Sequence, residues 1–285
     1  MSIWKTTLDE LVELTFRTCL GNWFEGTATS GGTATLIDTT NRGESDDYFQ
    51  TLGAWIKIRT TTDDAAPKGD ERKITDFVQS TSTITVGNNF SAAPAASDTY
   101  AIYSRWSWAE VVSAINLAID QYAGACLIDK IDTSVQLKSG VFDYSMPSGF
   151  LFAYKITQAD DSGDFAEALS TESWRIIRGI TPPRLHLRED YVTITTNQLI
   201  RIEGFGRQPK LIKDTDTCYL NPNLIAFQAG ATLLARKVMR SDVDPDEFRT
   251  QMLLWQGAAD RISGGPPFYS AVRMHFPPDT KRVEA

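Results

Sequence analysis

The chain has 285 residues, enough for two modest domains or for one domain carrying an insertion. Its 42% hydrophobic and 22% charged content is that of a folded protein, and its net charge of −8 disfavours a broad electrostatic footprint on nucleic acid. No apolar run reaches the about 18 residues of a membrane-spanning helix, and the start MSIWKTTLDELVELT lacks the basic-then-apolar pattern of a secretory signal.

The first predicted helix runs from about Thr7 to Leu20, with Leu8, Leu11, Val12, Phe16 and Cys19 in one apolar stripe, Thr7 or Thr6 as its cap and Gly21 as its end. From Gly26 to Tyr103 the pattern turns β-only. Short apolar runs such as Ala34–Ile37, Trp55–Ile58 and Thr81–Val86 alternate with Gly, Asn, Asp and Pro. This module reads as a small barrel or sandwich of five or six strands, set between two helices that remain free to pack on each other. Replacing it with a short linker is expected to leave the helical core intact.

A second helix is predicted from Ser107 to about Ile128, its stripe formed by Ala109, Val112, Ile115, Ala118, Ile119, Tyr122 and Cys126. Ser107 and Glu110 have the spacing of a capping box. From about Val135 to Lys213 follows a meander of short strands: Phe142–Met146, Phe150–Ile156, Trp174–Arg178, Arg184–Arg188, Tyr191–Ile194 and Leu199–Gly204. Asn221–Pro222 opens a third helix, and Asp244–Pro245 a fourth whose apolar face is Phe248, Met252, Trp255 and Ala259. Gly264–Gly265–Pro266–Pro267 ends helix formation. The remaining tail carries Phe268, Tyr269, Val272, Met274 and Phe276, too many apolar groups for a solvated end. Docking against a neighbouring chain fits it best, ahead of packing back onto its own domain or staying disordered.

The expected fold class is therefore α+β. A helical bundle core consists of two N-terminal helices (1–25 and 104–134) and a C-terminal αα-hairpin (218–263). It carries an inserted small β-barrel or sandwich (26–103), a second antiparallel β region (135–217) and an extended docking tail (264–285).

Several segments between Trp108 and Ile262 carry a resemblance: a strand ending in MPSGF, the strands SWRI and RLHLR, then LIRIEGFGRQPKL and NPNLIAFQAGATLLARK…DPDEFRTQMLLWQGAADRI. In architecture and segment style they resemble head-to-tail adaptor proteins of tailed bacteriophages. The module Gly26–Tyr103 resembles a β insertion of phage virion proteins. The resemblance implies a connector ring in the phage neck, of twelve copies, made in the bacterial host cytoplasm and joining the portal protein to a tail or stopper protein. DNA passes through such a ring without sequence-specific binding, and the acidic balance of this chain suits that passage. A ring of this kind needs a heterologous interface between copies. An alternative is a carbohydrate- or receptor-binding structural protein at a tail tip or fibre.

No catalytic, cofactor or metal site is expected. Asp46–Asp47, Asp63–Asp64 and Asp160–Asp161 lie in turn-like sequence without the ligand spacing of a calcium loop. His186 and His275 have no nucleophile pattern beside them, and Gly204–Arg207 lacks the end of a phosphate loop and reads as a strand-exit turn. Cys19, Cys126 and Cys218 form no CxxC pair and read as buried, reduced thiols. Arg175, Arg178, Arg184, Arg188, Arg201 and Arg207 gather in the second β region, as solvated strand faces or as a stripe for acidic neighbours or DNA. Trp55, Trp106, Arg184 and Arg188 are the candidate interface residues outside the tail, tryptophan being enriched at binding hot spots.

Overall fold

Two capping boxes fix where the first and third helices start. The Thr7 hydroxyl accepts the Glu10 N–H at 3.3 Å while the Glu10 carboxylate accepts the Thr7 N–H at 2.8 Å. Ser107 and Glu110 repeat the pair at 3.3 and 2.9 Å, so each helix begins with its orphan N–H groups answered. The structure, a computed structural model, describes residues 4–21, 23–40, 43–124, 126–165, 167–238 and 245–263. Among the described residues no helix is long and apolar enough to cross a membrane.

A two-residue strand β1 (Thr6–Thr7) leads into α1 (Leu8–Thr15), which continues as a π-helical turn, Phe16–Leu20, and stops at Gly21 with φ +70°. There follow β2 (Trp23–Thr27), β3 (Ser30–Gly32), β4 (Thr35–Ile37), a one-turn α2 (Tyr48–Thr51), β5 (Trp55–Thr60), β6 (Glu71–Val78), β7 (Thr83–Val86) and β8 (Thr99–Tyr103). Next come α3 (Trp108–Tyr122), β9 (Leu127–Gln136), β10 (Asp143–Ser145), β11 (Phe150–Gln158), β12 (Trp174–Ile177), β13 (Arg184–Leu187), β14 (Leu199–Arg207) and β15 (Thr217–Cys218). Two helices, α4 (Pro222–Val238) and α5 (Pro245–Ser263), complete the described chain.

The strands β2 to β8 form one seven-stranded sheet in the order β2-β8-β5-β6-β7-β4-β3. Its outer strands β2 and β3 are two halves of one segment. The Ala28 N–H bonds to Asp98 O and the Thr29 N–H to Ile37 O, both at 2.8 Å, so this segment reaches β8 on one side and β4 on the other. The sheet thus curls into a barrel, helped by a register shift between Ile74 and Asp76 of β6. Leu36, Phe49, Ile56, Ile58, Ile74, Phe77, Ile84 and Ile102 fill its interior. The buried Tyr100 hydroxyl donates to Asp38 at 2.7 Å, and Gly26 leaves room for that pair, since a Cβ there would overlap both groups.

Helices α1, α3 and α4 share a second core with Leu8, Leu11, Phe16, Trp108, Ile115, Leu224 and Leu233. The barrel is clasped to it. Tyr103 of β8 lies in this core, its ring 4.5 Å from Phe16, and its hydroxyl donates to Glu71 at 2.9 Å. Arg59 of β5 pairs with Asp9, with Glu13 at 3.0 Å and with Glu25 at 2.8 Å. The buried Lys57 ammonium sits 2.6 Å from Asp214 and 3.4 Å from the centre of the Trp108 ring.

The second β region is two three-stranded antiparallel sheets, β11-β14-β9 and β10-β13-β12, over a third core that includes Leu137, Ile156, Leu185, Leu187, Ile200 and Ile202.

The expected helical bundle core with a C-terminal αα-hairpin is overturned. The molecule is mostly sheet, with four sheets among the described residues against five α-helices. The helices line a core that also takes Ala101 and Tyr103 of β8, Ile128 of β9 and Cys218 of β15. Continuous helical stripes are louder in sequence than strands, eight of which span only two to four residues among the described residues, and this misweighted the layers. Three local expectations also change. Gly204–Arg207 is not a strand-exit turn: β14 runs through it, Gly204 admits the Phe152 carbonyl of β11 at a bulge, and Gly206 admits the Gly149 carbonyl just before β11. Tyr191–Ile194 is not a strand, and β9 begins at Leu127, where the second helix was expected to continue.

Candidate functional site

Alternation along β13 builds the site. Leu185 and Leu187 are fully buried, which sends Arg184 and His186 to the opposite face, with Arg188 next in the same phase. Register then joins neighbours to them. Asp143, His186 and Arg175 form one row across β10, β13 and β12, and Ser145, Arg184 and Ile177 form the next. The His186 Nδ1 lies 3.0 Å from the Asp143 carboxylate. Arg188 donates to the Glu172 carbonyl at 3.2 Å, and its guanidinium lies 4.8 Å from the centre of the exposed Tyr191 ring.

The outcome is a basic face on an acidic chain. Arg175, Arg184 and Arg188 are exposed on it, and their planar forks match carboxylate or phosphate oxygens. A cleft of about 500 Å³ opens beside it, lined among others by Ser134, Gln136, Lys138, Asp143 and Met146. Tyr144 shapes this cleft by accepting the Lys138 N–H at 3.0 Å and donating to Val141 O at 2.7 Å. Such a surface can hold acidic side chains or a phosphate backbone by charge-assisted hydrogen bonds.

The remaining arginines are placed elsewhere. Arg178 lies 4.8 Å from the centre of the Phe152 ring, and Arg201 lies 5.0 Å from that of Phe165 and 3.0 Å from Glu203. Arg207 ends β14. Trp55 is half-buried against the helical core, and Trp106 is 4% exposed, with the Lys237 ammonium 5.2 Å from its ring centre. The structure therefore brings Arg184 and Arg188 together and places both tryptophans at the barrel–helix junction. Phe268, Tyr269, Val272, Met274, Phe276 and His275 lie outside the described residues.

The acidic pairs are tied to backbone N–H groups and a neighbouring lysine. Asp46 accepts the Gln79 N–H at 2.7 Å, Asp63 the Ala65 N–H at 3.1 Å, and Asp64 pairs with Lys68. The Ser162 hydroxyl and the Asp164 and Ser162 N–H groups hold the Asp160 carboxyl below its ordinary range. Among the described residues no three His, Cys, Asp or Glu side chains gather as a metal-holding group. Burial pushes the thiols up from an ordinary 9.0, Cys19 and Cys218 to about 11 and Cys126 to about 12.

One class of surface residue escaped the sequence reading. Ile212 is 82% exposed, Leu253 60% and Leu254 61%. Leu253 and Leu254 fall off the stripe Phe248–Met252–Trp255–Ala259, and that off-phase pair was the available signal. No protein-family model matches the chain, and no curated protein is significantly similar to it.

Proposed function

We propose that this chain is a structural coupler: a subunit of the head-to-tail connector ring in the neck of a tailed bacteriophage, seated between the portal protein and a tail or stopper protein. The observation that carries the reading is the display of large apolar side chains, Ile212 on a turn and Leu253 and Leu254 on α5, at the outer surface. Ile212 stands on a turn fixed by Asp216, whose carboxylate accepts the Ile212 and Lys213 N–H groups at 2.7 and 2.8 Å. These two bonds hold the Asp216 carboxyl below its ordinary range. The aromatic-rich segment Phe268–Phe276 follows α5 in sequence, and the basic face of β13 offers a separate contact for an acidic neighbour. The segment style of Trp108–Ile262 supports the same role.

In this reading the barrel is a rigid strut and the helices meet adjoining copies. The net charge of −8 keeps the passage from retaining DNA. Twelve copies, portal docking and a virion location belong to the proposal. Negative-stain imaging of the purified chain, alone and with portal rings, tests it. Closed rings that stack on portals are expected. A chain that stays monomeric and never joins portal or tail rings overturns the proposal.

A further inference from the structure

We infer that the segment Phe268–Phe276 adds to the outer edge of β9 in its own chain, as a further strand of the sheet β11-β14-β9. The inference goes beyond the connector reading and holds or fails without it.

At ten residues β9 is the longest strand among the described residues, yet it pairs with β14 alone and its other edge meets no described strand. Along that edge every second residue turns its N–H and C=O away from β14. Such an edge is a template for another strand. The template ends near Ser134, whose N–H is taken by the Asp132 carboxylate at 2.8 Å, where the register with β14 shifts. Ile131, in the middle of β9, is 67% exposed, so the strand leaves apolar surface uncovered as well as backbone.

The segment sets out from the matching place. The Ser263 side chain, at the end of α5, hydrogen-bonds to Tyr122, the last residue of α3. From Tyr122 the chain reaches β9 at Leu127, and the Cys126 N–H bonds back to Tyr122 O at 2.8 Å, which keeps this connection compact. From Ser263 the chain through Gly264–Pro267 can span up to about 17 Å before Phe268, so the two strands can start side by side. β9 leads from the helical core at Ile128 toward the third core at Leu137, and the added strand runs parallel to it.

The segment also has the form of one strand. Pro266–Pro267 and Pro277–Pro278 bound a run close in length to β9. Val272, Met274 and Phe276 alternate with Arg273 and His275, which gives an apolar face to lie beside Ile131 and a polar face opposite. Sequence alone set this segment against a neighbouring chain; the position of Ser263 selects its own sheet instead.

Hydrogen exchange read by mass spectrometry tests this on the full-length chain and on Val272→Pro/Arg273→Pro. Adjacent prolines remove a pairing N–H in either phase of the alternation and change no residue of the described elements. In the wild type the segment and the β9 amides that face away from β14 should both be protected. In the variant those β9 amides should exchange about tenfold faster or more, while the amides facing β14 keep their protection. The protection should be the same in monomers and in assembled rings. A wild-type segment that exchanges freely overturns the inference whatever the variant does, and so does exchange along β9 that is equal in the two proteins. Protection that appears only on assembly also overturns it, gives the edge to a neighbouring copy and leaves the connector reading standing.

Discussion

In the barrel the segment 23–32 supplies both outer strands, so the sheet meets itself and the clasp binds it to α1 and α3. In the second β region β9, β10, β11 and β12 are outer strands of two short sheets, and β13 turns Arg184 outward with Arg188 just past its end. The first arrangement removes free edges, which are sites of unplanned pairing, and builds a stiff support. The second keeps edges and charge available for contact. The difference teaches that the inserted module looks displayed in sequence yet is tied down in the fold, while the exposed basic face sits on the less conspicuous strands.

The largest test of that contrast is removal of the barrel. The sequence alone gave reason to expect that replacing Gly26–Tyr103 with a short linker would spare the helices. The clasp reverses the expectation. Removal takes Ala101 and Tyr103 out of the helical core, and it strips Asp9 and Glu13 of Arg59 and Asp214 of Lys57. Losing a large core aromatic alone costs about 3–5 kcal/mol, a substantial part of the stability of an ordinary domain. The excised chain should lose most of its far-UV helical signal. A full helical signal would restore the view of an independent module and break the comparison.

Alkaline pH gives a smaller effect, located on the clasped side. Cys19, Cys126 and Cys218 belong to or face the helical core, and burial raises them to about 11, 12 and 11 from an ordinary 9.0. Between these values the folded state keeps protons that the unfolded chain has released, so this stability is full below about pH 9 and is lost as pH rises toward 12. Burial and the Glu71 carboxylate raise Tyr103 in the same direction. Lys57 opposes them: burial lowers it below 10.5 despite Asp214, so its contribution grows as pH rises toward 10.5. The thiols, raised to about 11 and 12, set the direction expected above pH 9. Urea midpoints should fall above about pH 9, and Cys126→Ala should flatten the fall. A flat profile, or an equal fall in the variant, would remove the thiols from the account.

Much of the local structure was legible because it is local. Thr7 with Glu10 and Ser107 with Glu110 announce their helices by side chains three residues apart. The stripe of α1 was read in phase, since Leu8, Leu11, Val12, Phe16 and Cys19 are all buried. In α3 the phase slipped: Trp108 and Val111 face inward while Ala109, expected in the stripe, is exposed. The apolar pair Leu127–Ile128 looked like helix and became strand, since its partners Arg207 and Gly206 lie far along the chain. The site followed the same rule. The alternation of RLHLR already places Arg184, His186 and Arg188 on one face. Only the pairing of β12 with β13 could add Arg175, and only packing could show that Leu253 and Leu254 remain outside the core.

The smallest effect on stability should come from the basic face, and there the comparison can be sharpened most. Arg184→Glu with Arg188→Glu changes exposed groups outside the core, so unfolding free energy should move by no more than about 0.5 kcal/mol per site. Binding should respond differently. If the open region is the contact surface, the double reversal should weaken docking to portal rings about tenfold at low salt. The deficit should shrink as added salt shortens the screening length. The matched control reverses two cations of the barrel, Lys68→Glu and Lys73→Glu, which alters net charge equally on the closed region. Docking that survives the barrel reversal and fails with the β13 reversal separates support from contact surface. Equal weakening by both pairs would mean that only the total charge matters, and the two regions would then share one role.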